Sequence, residues 1–491
     1  PPRPPPSVAA SRRHDRRRPT VDVVRGGRPR NDHRARGSAF RSQSGAHATL
    51  ARCPTRRKVS RTETDRAAPT QIPDEIANDP ELETAMKVLP VNYDFEVKKT
   101  VWRLRQVGVK TLALQFPEGL LLYATTLSDI FQTFAGVRDV VILGDVTYGA
   151  CCVDDYTAES LGCDFLVHYG HSCLVPVDVT RMKCLYVFVD ISFDVGHLCA
   201  SVEHNFKPGS RLILAGTIQF ASAIQETRTR LAERYPSLAV PQAKPLSPGE
   251  VLGCTAPVIE DAKDRDAIVF VADGRFHLEA IMIANPTVPA FRYDPYQRIL
   301  TREEYAHKEM RSVRKSMVSR AKDAKTFGIV LGTRGRQGNP AILEHLMSLM
   351  RVKGREYVVF LISEMNPAKM AALEGLDAFV QVACPRLSID WGEEFDRPVL
   401  TPYEAEVALD NVEPWWLLAG VAPGEEYAPY PMDYYAKDGG SWSSSYHKQT
   451  GKNGKPKRYP LNDYYRTPGM ERLAKQGIPV SYTHLTLPTK A

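Results

Sequence analysis

The sequence predicts an α/β protein made of three related units, each a parallel sheet covered by helices. Three observations carry this expectation. Short β-branched runs alternate with helical patterns, the arrangement that builds parallel sheets covered on both faces. The alternation begins near Ile72 and restarts twice, giving units of roughly 100–120 residues, an ordinary domain size. The composition is globular, 43% hydrophobic and 25% charged over 491 residues, with enough apolar material for two or three cores.

The first unit is expected over 71–205. Thr111–Phe116 (TLALQF) reads as a buried strand. Glu118–Gly136 reads as a helix, with Leu120, Ala124, Leu127, Phe131 and Phe134 on one face and Gly136 as its stop. Strands Val140–Leu143, Phe165–Tyr169 and Cys184–Val189 follow. The second unit, 206–325, has strands Arg211–Ala215, Ile268–Val271 and Ala290–Tyr293, with helices Ser222–Tyr235 and Phe276–Ile283. A charged, unbroken helical stretch, Arg302–Lys325, leads into the third unit, 326–435. Its strands are Phe327–Leu331, Tyr357–Ile362 and Ala378–Val382. Asn339 caps helix Pro340–Met350, whose first residue is a proline placed where a missing N–H costs nothing.

The two ends read differently. Residues 1–70 are rich in Arg, Pro, Ser and Gly, with no sustained apolar period, and are expected to be disordered. The formal net charge of +7 belongs to them. Residues 1–58 carry 16 Lys and Arg against three Asp, a net of +13, whereas 59–491 carry 48 basic and 54 acidic residues, a net of −6. An Arg-rich start suits a transit peptide or a nucleic-acid tail. With Pro1 as its first residue, it reads more simply as a fragment end or translated non-coding stretch without function. No secretory signal peptide and no membrane-spanning run are expected. Residues 436–491 are rich in Gly, Ser and Lys and read as a flexible tail. Its last eleven, SYTHLTLPTKA, continue no pattern and look like adapter read-through.

The cysteines are Cys53, Cys151, Cys152, Cys163, Cys173, Cys184, Cys199, Cys254 and Cys384. No pair is spaced C-x-x-C, which removes the local zinc knuckle and the thioredoxin motif. The tight C-x3-C-x2-C spacing of ordinary radical S-adenosylmethionine enzymes is missing too. A site assembled from distant cysteines stays open. Cys151, Cys254 and Cys384 lie in loops beside turn residues, one in each unit. In open parallel sheets, ligands collect outside the carboxyl ends of the strands. Three thiolates on a four-iron cluster would leave the fourth iron open to another ligand. On spacing alone the stronger reading is that these are small buried hydrophobes. Cys163, Cys173, Cys184 and Cys199 sit within or beside apolar strands and read as structural. Cys152 adjoins Cys151, and adjacent cysteines rarely ligate one metal.

Gly332, Gly335 and Gly338 form G-x-x-G-x-x-G between a strand and a capped helix. Such a loop offers backbone N–H groups to an anion. Arg334, Arg336 and Gln337 within it favour a carboxylate or phosphate, against the alternative of a glycine-rich turn with solvated arginines. It lacks both P-loop and dinucleotide signatures. His168 and His171 follow one strand end, and Asp273, Gly274, Arg275, Phe276 and His277 follow another. His171 reads as structural; His168 and His277 are open either way. G-x-S-x-G, H-E-x-x-H and EF-hand patterns are absent.

Seven stretches together resemble the diphthamide synthase family, in its eukaryotic first-subunit branch. They are QFPEGLL (115–121), GDVTYGACCVDDYTA (144–158), LVHYGHSCLVPVD (166–178), LGCTAP (252–257), DGRFHLEA (273–280), LGTRGRQG (331–338) and ACPRLSIDWG (383–392). The resemblance runs in order over about 85–435. It implies three Rossmann-like units in a pseudo-threefold arrangement around a central [4Fe–4S] cluster. By motif, the ligands are Cys151, Cys254 and Cys384; archaeal relatives keep the Gly-Ala-Cys of the first without a second cysteine. The resemblance implies cleavage of S-adenosylmethionine at an unusual carbon–sulfur bond, giving methylthioadenosine and a 3-amino-3-carboxypropyl radical. That radical adds to an imidazole carbon of one histidine in translation elongation factor 2, the first step of diphthamide synthesis. It also implies a cytoplasmic heterodimer with a paralogous second subunit, and a small iron-binding protein as electron donor. Gly335, Arg334, Arg336 and Gln337, or Arg386 two residues past Cys384, are expected to hold the ligand's carboxylate by charge-assisted bonds. Three other readings compete with it: a non-catalytic electron-relaying subunit, an Arg-tailed nucleic-acid binder, and a nucleotide-binding enzyme using the glycine loop. A membrane partner is not expected, and the acidic body gives nucleic acid little support.

Overall fold

The computed structural model describes residues 72–145, 147–417 and 429–445. Residues 1–70, the last eleven and most of the expected tail lie outside these described residues.

Buried apolar runs build three four-stranded sheets. In the first, strands Asp139–Leu143, Thr111–Gln115, Phe165–Tyr169 and Lys183–Val187 lie side by side in that order, all parallel. The third repeats the order with Glu356–Ile362, Thr326–Gly332, Ala378–Val382 and Val399–Leu400. In both sheets the first strand in the chain is second in space. The second sheet runs Leu212–Gly216, Ala267–Val271 and Ala290–Asp294 in parallel, closed by antiparallel Ile299–Glu303. On the free side of Leu212–Gly216, where the other sheets carry a strand, the described residues form two parallel bridges, Ile213 with Ala239 and Gly216 with Glu250. Every residue of Phe165–Tyr169, Leu212–Gly216, Ala267–Val271, Thr326–Gly332 and Ala378–Val382 is buried. That explains why these strands read as continuous apolar runs and not as alternating ones.

A helix precedes the first strand of each unit: Val97–Val107, Val195–Asn205 and His307–Lys322. Val195, Leu198 and Val202 pack with Leu212, Leu214 and Ile224, so the second helix belongs to the second unit, ahead of the expected boundary at 205. The third helix sends Arg314 to Glu404 and so belongs to the third unit, ahead of the boundary at 325. The unbroken helix expected over Arg302–Lys325 is corrected. Residues Ile299–Glu303 form the antiparallel edge strand, and the helix is His307–Lys322. The charges that suggested a helix pair across the ladder instead, Arg292 Nε to Glu303 Oε1 at 3.2 Å.

Helix Glu118–Gly136 is also two pieces: a 3-10 segment Glu118–Tyr123 and an α-helix Ala124–Ala135, stopped by Gly136 at φ 69°. Asn339 caps helix Pro340–Val352 as expected, its side chain accepting from the Ala341 N–H at 2.9 Å.

The tail expected from 436 onward is packed at least to 445. Tyr430, Met432, Tyr434, Ala436 and Ser443 are buried. Asp433 accepts from the Trp442 indole at 2.7 Å and bridges to Thr255 of the second unit. Composition suggested a linker here, but aromatic anchors spaced among the glycines hold it down. Among the described residues no helix is long and apolar enough to cross a membrane.

Candidate metal centre

Cys151 sits in the short turn Ala150–Cys152, which follows strand Asp139–Leu143. Cys254 sits in a loop tightened by a bridge between Leu252 and Thr255, whose hydroxyl donates to Cys254 Sγ at 3.7 Å. Cys384 follows strand Ala378–Val382, its carbonyl held by Gln381 Nε2 at 2.9 Å and by the Leu387 N–H at 3.0 Å. All three are free and half-buried.

Though 103 and 130 residues apart in sequence, these thiols act on one another. A hydrogen bond with Cys152, then burial, then the charges of Cys152, Cys254 and Cys384 push Cys151 well above the ordinary thiol range. Burial and then the charge of Cys384 push Cys254 up to about 12. Burial pushes Cys384 up to about 11, against a hydrogen bond from the Arg386 N–H. Three thiols that oppose one another's ionisation need a positive centre to become thiolates together, and a bound metal supplies one. Among the described residues, no three His, Cys, Asp or Glu side chains gather as a single ion requires. A four-iron cluster, held through separate thiolates, needs nearness without that convergence, so the donor set fits it.

Two residues at this centre had no signal in the sequence. Tyr434 and Tyr435, from the returning segment, are both affected by the charges of Cys151, Cys254 and Cys384. The Tyr434 hydroxyl is buried without a partner. The doublet lies at the edge of a low-complexity stretch, and only its aromatic character distinguishes it. Ala150, Leu174, Ala243, Leu246 and Leu252 form an apolar patch against Cys151, Cys254 and Tyr435.

The glycine loop is turned toward the first unit. The Arg336 N–H donates to the Cys151 carbonyl at 2.8 Å, and Gln337 Nε2 donates to Cys152 Sγ at 3.4 Å. Gly335 has φ 52°, and a Cβ there would collide with the Cys152 carbonyl, so only glycine fits. The Arg336 guanidinium grips Asp155 through two bonds of 2.7 and 2.6 Å and lies 4.0 Å from the Tyr156 ring centre. Arg334 pairs with Glu364 at 2.6 Å. Arg386 donates to Asp390 at 2.8 Å, to Glu279 at 2.6 Å and to the Phe276 carbonyl at 2.7 Å. The arginines expected to face a ligand's carboxylate thus direct these donors to groups of the protein itself.

His168 is buried, and its Nδ1 meets Gln115 Oε1 at 2.8 Å. The Gln115 amide is oriented by its own bond to the Cys152 carbonyl at 2.9 Å, which assigns the His168 proton to Nδ1 and the lone pair to Nε2. Burial pushes His168 well below the usual imidazole range, and His171 and His277 down to about 4, so all three are neutral at pH 7. The His168 and His171 rings lie 5.4 Å apart, and His277 is affected by His171 and Arg386. His171, read as structural, therefore belongs to the same neutral group as the two left open. Cys163 and Cys199 are buried in other cores, and Cys173 and Cys184 pack beside one of them.

A fold of three such sheets, with thiols from each unit gathered among their loops, defines a class, and comparison with known proteins identifies it. A family model described as "Putative diphthamide synthesis protein" matches residues 116–417. The chain belongs to that family. It is 53% identical over 378 residues to 2-(3-amino-3-carboxypropyl)histidine synthase subunit 1 of Gallus gallus, covering 77% of this chain and 88% of the relative. It is 52% identical over 376 residues to the protein of that name from Homo sapiens, covering 76% and 82%. Among solved structures it resembles Dph2 from Pyrococcus horikoshii crystallised with a 4Fe-4S cluster. The TM-score is 0.54 and the identity 27%, covering 65% of this chain and 91% of that one.

Proposed function

We propose that this chain transfers the 3-amino-3-carboxypropyl group of S-adenosylmethionine to a histidine of translation elongation factor 2, opening diphthamide synthesis. Cys151, Cys254 and Cys384 would hold a [4Fe–4S] cluster. One observation carries the reading: the cysteine loops of three units meet, Cys151 and Cys254 packing against one apolar patch and Arg386, two residues past Cys384, reaching the Gly253 carbonyl beside Cys254. The cluster reported with the Pyrococcus relative supports it. When bound, such a cluster supplies an open iron and the electron that breaks a sulfonium carbon–sulfur bond. The chain's own residues keep the site dry and shaped. Tyr434, Tyr435 and the apolar patch around Leu252 exclude water from the thiols. The neutral imidazoles of His168, His171 and His277 line the neighbourhood without adding positive charge that would hold a cationic ligand away.

The name "subunit 1" among the relatives supports work in a complex. The proposed partners are the paralogous second subunit, a small iron-binding electron donor and elongation factor 2, all in the cytoplasm. All three cysteines are present, which favours the catalytic over the electron-relaying role. Anaerobic reconstitution with iron and sulfide, then dithionite and S-adenosylmethionine, tests this. Release of methylthioadenosine is expected. A fully loaded chain that releases none is not the catalytic subunit.

A further inference from the structure

We propose that the third unit sets the positions of the other two units' cysteines through two arginine clamps: Gly335 and Arg336 fix the Cys151 turn, and Arg386 fixes the Cys254 loop. The proposal rests on the cluster reading above and adds the residues that prepare the site for it.

From its own unit the Cys151 turn is held by Gln115, whose amide donates to the Cys152 carbonyl at 2.9 Å and accepts from the Asp154 N–H at 3.2 Å. Within it, one backbone bond closes the turn, from the Cys152 N–H to the Gly149 carbonyl at 2.8 Å. Consecutive residues of the third unit grip the segment 151–155. The Arg336 N–H holds the Cys151 carbonyl at one end, and its guanidinium holds buried Asp155 at the other. Gly335 lies against the middle, where a Cβ would collide with the Cys152 carbonyl and stand 2.7 Å from the Val153 carbonyl oxygen. Asp155 also accepts from the Arg181 N–H at 2.5 Å, so the clamp is anchored in the first unit's own framework.

Arg386 does the equivalent for the second unit. It stands two residues past Cys384, and its side chain reaches the Phe276 carbonyl at 2.7 Å and the Gly253 carbonyl, next to Cys254, at 3.4 Å. Asp390 and Glu279 balance its charge from either side, and the guanidinium lies 4.4 Å from the Phe276 ring centre. The Phe276 ring in turn occupies the space a Gly253 Cβ would need. One residue therefore spans two cysteine loops. A planar fork makes several directed bonds at once, which a lysine cannot copy. Loops fixed in advance lower the ordering cost of taking up a cofactor.

The test uses the full chain. In iron-free protein, Arg336→Gln is expected to speed amide hydrogen exchange over 148–156 by about tenfold or more, the loss expected for charge-assisted bonds. Exchange over 252–257 and in helix Val97–Val107 stays as it was. Arg386→Gln gives the converse, acting on 252–257; Glu279→Gln repeats it if that variant fails to fold. Gly335→Ala removes no charge and loosens 148–156 in the same way. After reconstitution, each variant loses iron to a chelator about 10–100-fold more readily than the parent chain, as outer-shell losses do. Arg336→Lys does not restore retention. Unchanged exchange over 148–156 in both Arg336→Gln and Gly335→Ala, or loosening spread evenly over the chain, overturns the clamp. A parent chain that takes up no iron overturns the cluster reading instead, and the exchange pattern still tests the clamp.

Discussion

The first two units and the third deliver their cysteines from different places in the same strand order. In the first and second units the cysteine follows the second strand position, filled by Asp139–Leu143 in one and by the bridges at Ala239 and Glu250 in the other. In the third unit it follows the third strand, Ala378–Val382. The sequence intervals carry this difference. Cys151 stands 40 residues past Thr111 and Cys254 stands 42 past Leu212, but Cys384 stands 58 past Thr326. Cys384 stands two residues past its strand, and in the first unit His171 stands two past strand Phe165–Tyr169. In the second unit Asp273 stands two past strand Ala267–Val271, and His277 lies further on, in helix Phe276–Ala284. Repetition of a fold thus supplies several loops at the carboxyl ends of strands, and the proposed donor set draws on different ones. The third unit also supplies the arginines that reach the other two cysteine loops, and it carries a fully buried ion pair of its own.

The largest expected effect lies in that internal tie. Arg314 and Glu404 are both fully buried and paired at 2.6 Å, joining the leading helix of the third unit to helix Pro402–Ala408. Arg314→Met leaves a buried carboxylate unpaired and costs about 3–5 kcal/mol in denaturant unfolding. A cost near zero would remove the contrast between units. Gly253→Ala forces the Phe276 ring away and costs about 1–3 kcal/mol by overpacking. Its iron loss follows that of Arg386→Gln if the two act on one loop.

A smaller effect is set by pH. Burial alone would raise Glu406, but hydrogen bonds from His345, Ser441 and Asn411 hold its carboxyl below the usual range. Ser441 belongs to the returning segment, so this carboxylate helps to fasten it. A carboxyl lowered in the folded state stabilises fully above its ordinary range, and that contribution is lost as pH falls through the folded value. Thermal midpoints of the parent chain should fall more between about pH 5 and pH 3 than those of Glu406→Gln. Equal falls would take Glu406 out of the account. The smallest effect is a null one: His277→Asn leaves iron content unchanged, because the proposed ligand of the second unit is Cys254 and His277 lies in helix Phe276–Ala284. Lost iron would give the second unit a second donor.

How much was legible depends on the physics of each feature. Strands buried on both faces announce themselves as apolar runs, and Phe165–Tyr169 and Ala378–Val382 were placed to the residue. The leading helices Val97–Val107 and Val195–Asn205 were not read from the sequence, and the expected boundaries at 205 and 325 fall after the second and third of them, because amphipathic patterns say that a helix packs, not against which sheet. Ile299–Glu303 was missed as a strand because its charges mimic a helical surface and its pairing is long-range. Cys151, Cys254 and Cys384 stood out only through loop context and resemblance, since spacing alone favoured a structural reading. Arg336 and Arg386 were noticed, but their partners Asp155 and Glu279 are 181 and 107 residues away, and no local pattern joins them. Tyr434 and Tyr435 were hidden beside a stretch whose composition suggested a linker.

The central claim is that one thiol from each unit holds a single cluster. Single variants Cys151→Ala, Cys254→Ala and Cys384→Ala, reconstituted anaerobically with iron and sulfide beside Cys163→Ala, test it by the visible iron–sulfur absorption and iron per chain. The account predicts that each of the first three loses the chromophore while Cys163→Ala keeps it, since Cys163 is buried in a separate apolar core. A full chromophore in all three single variants would contradict it.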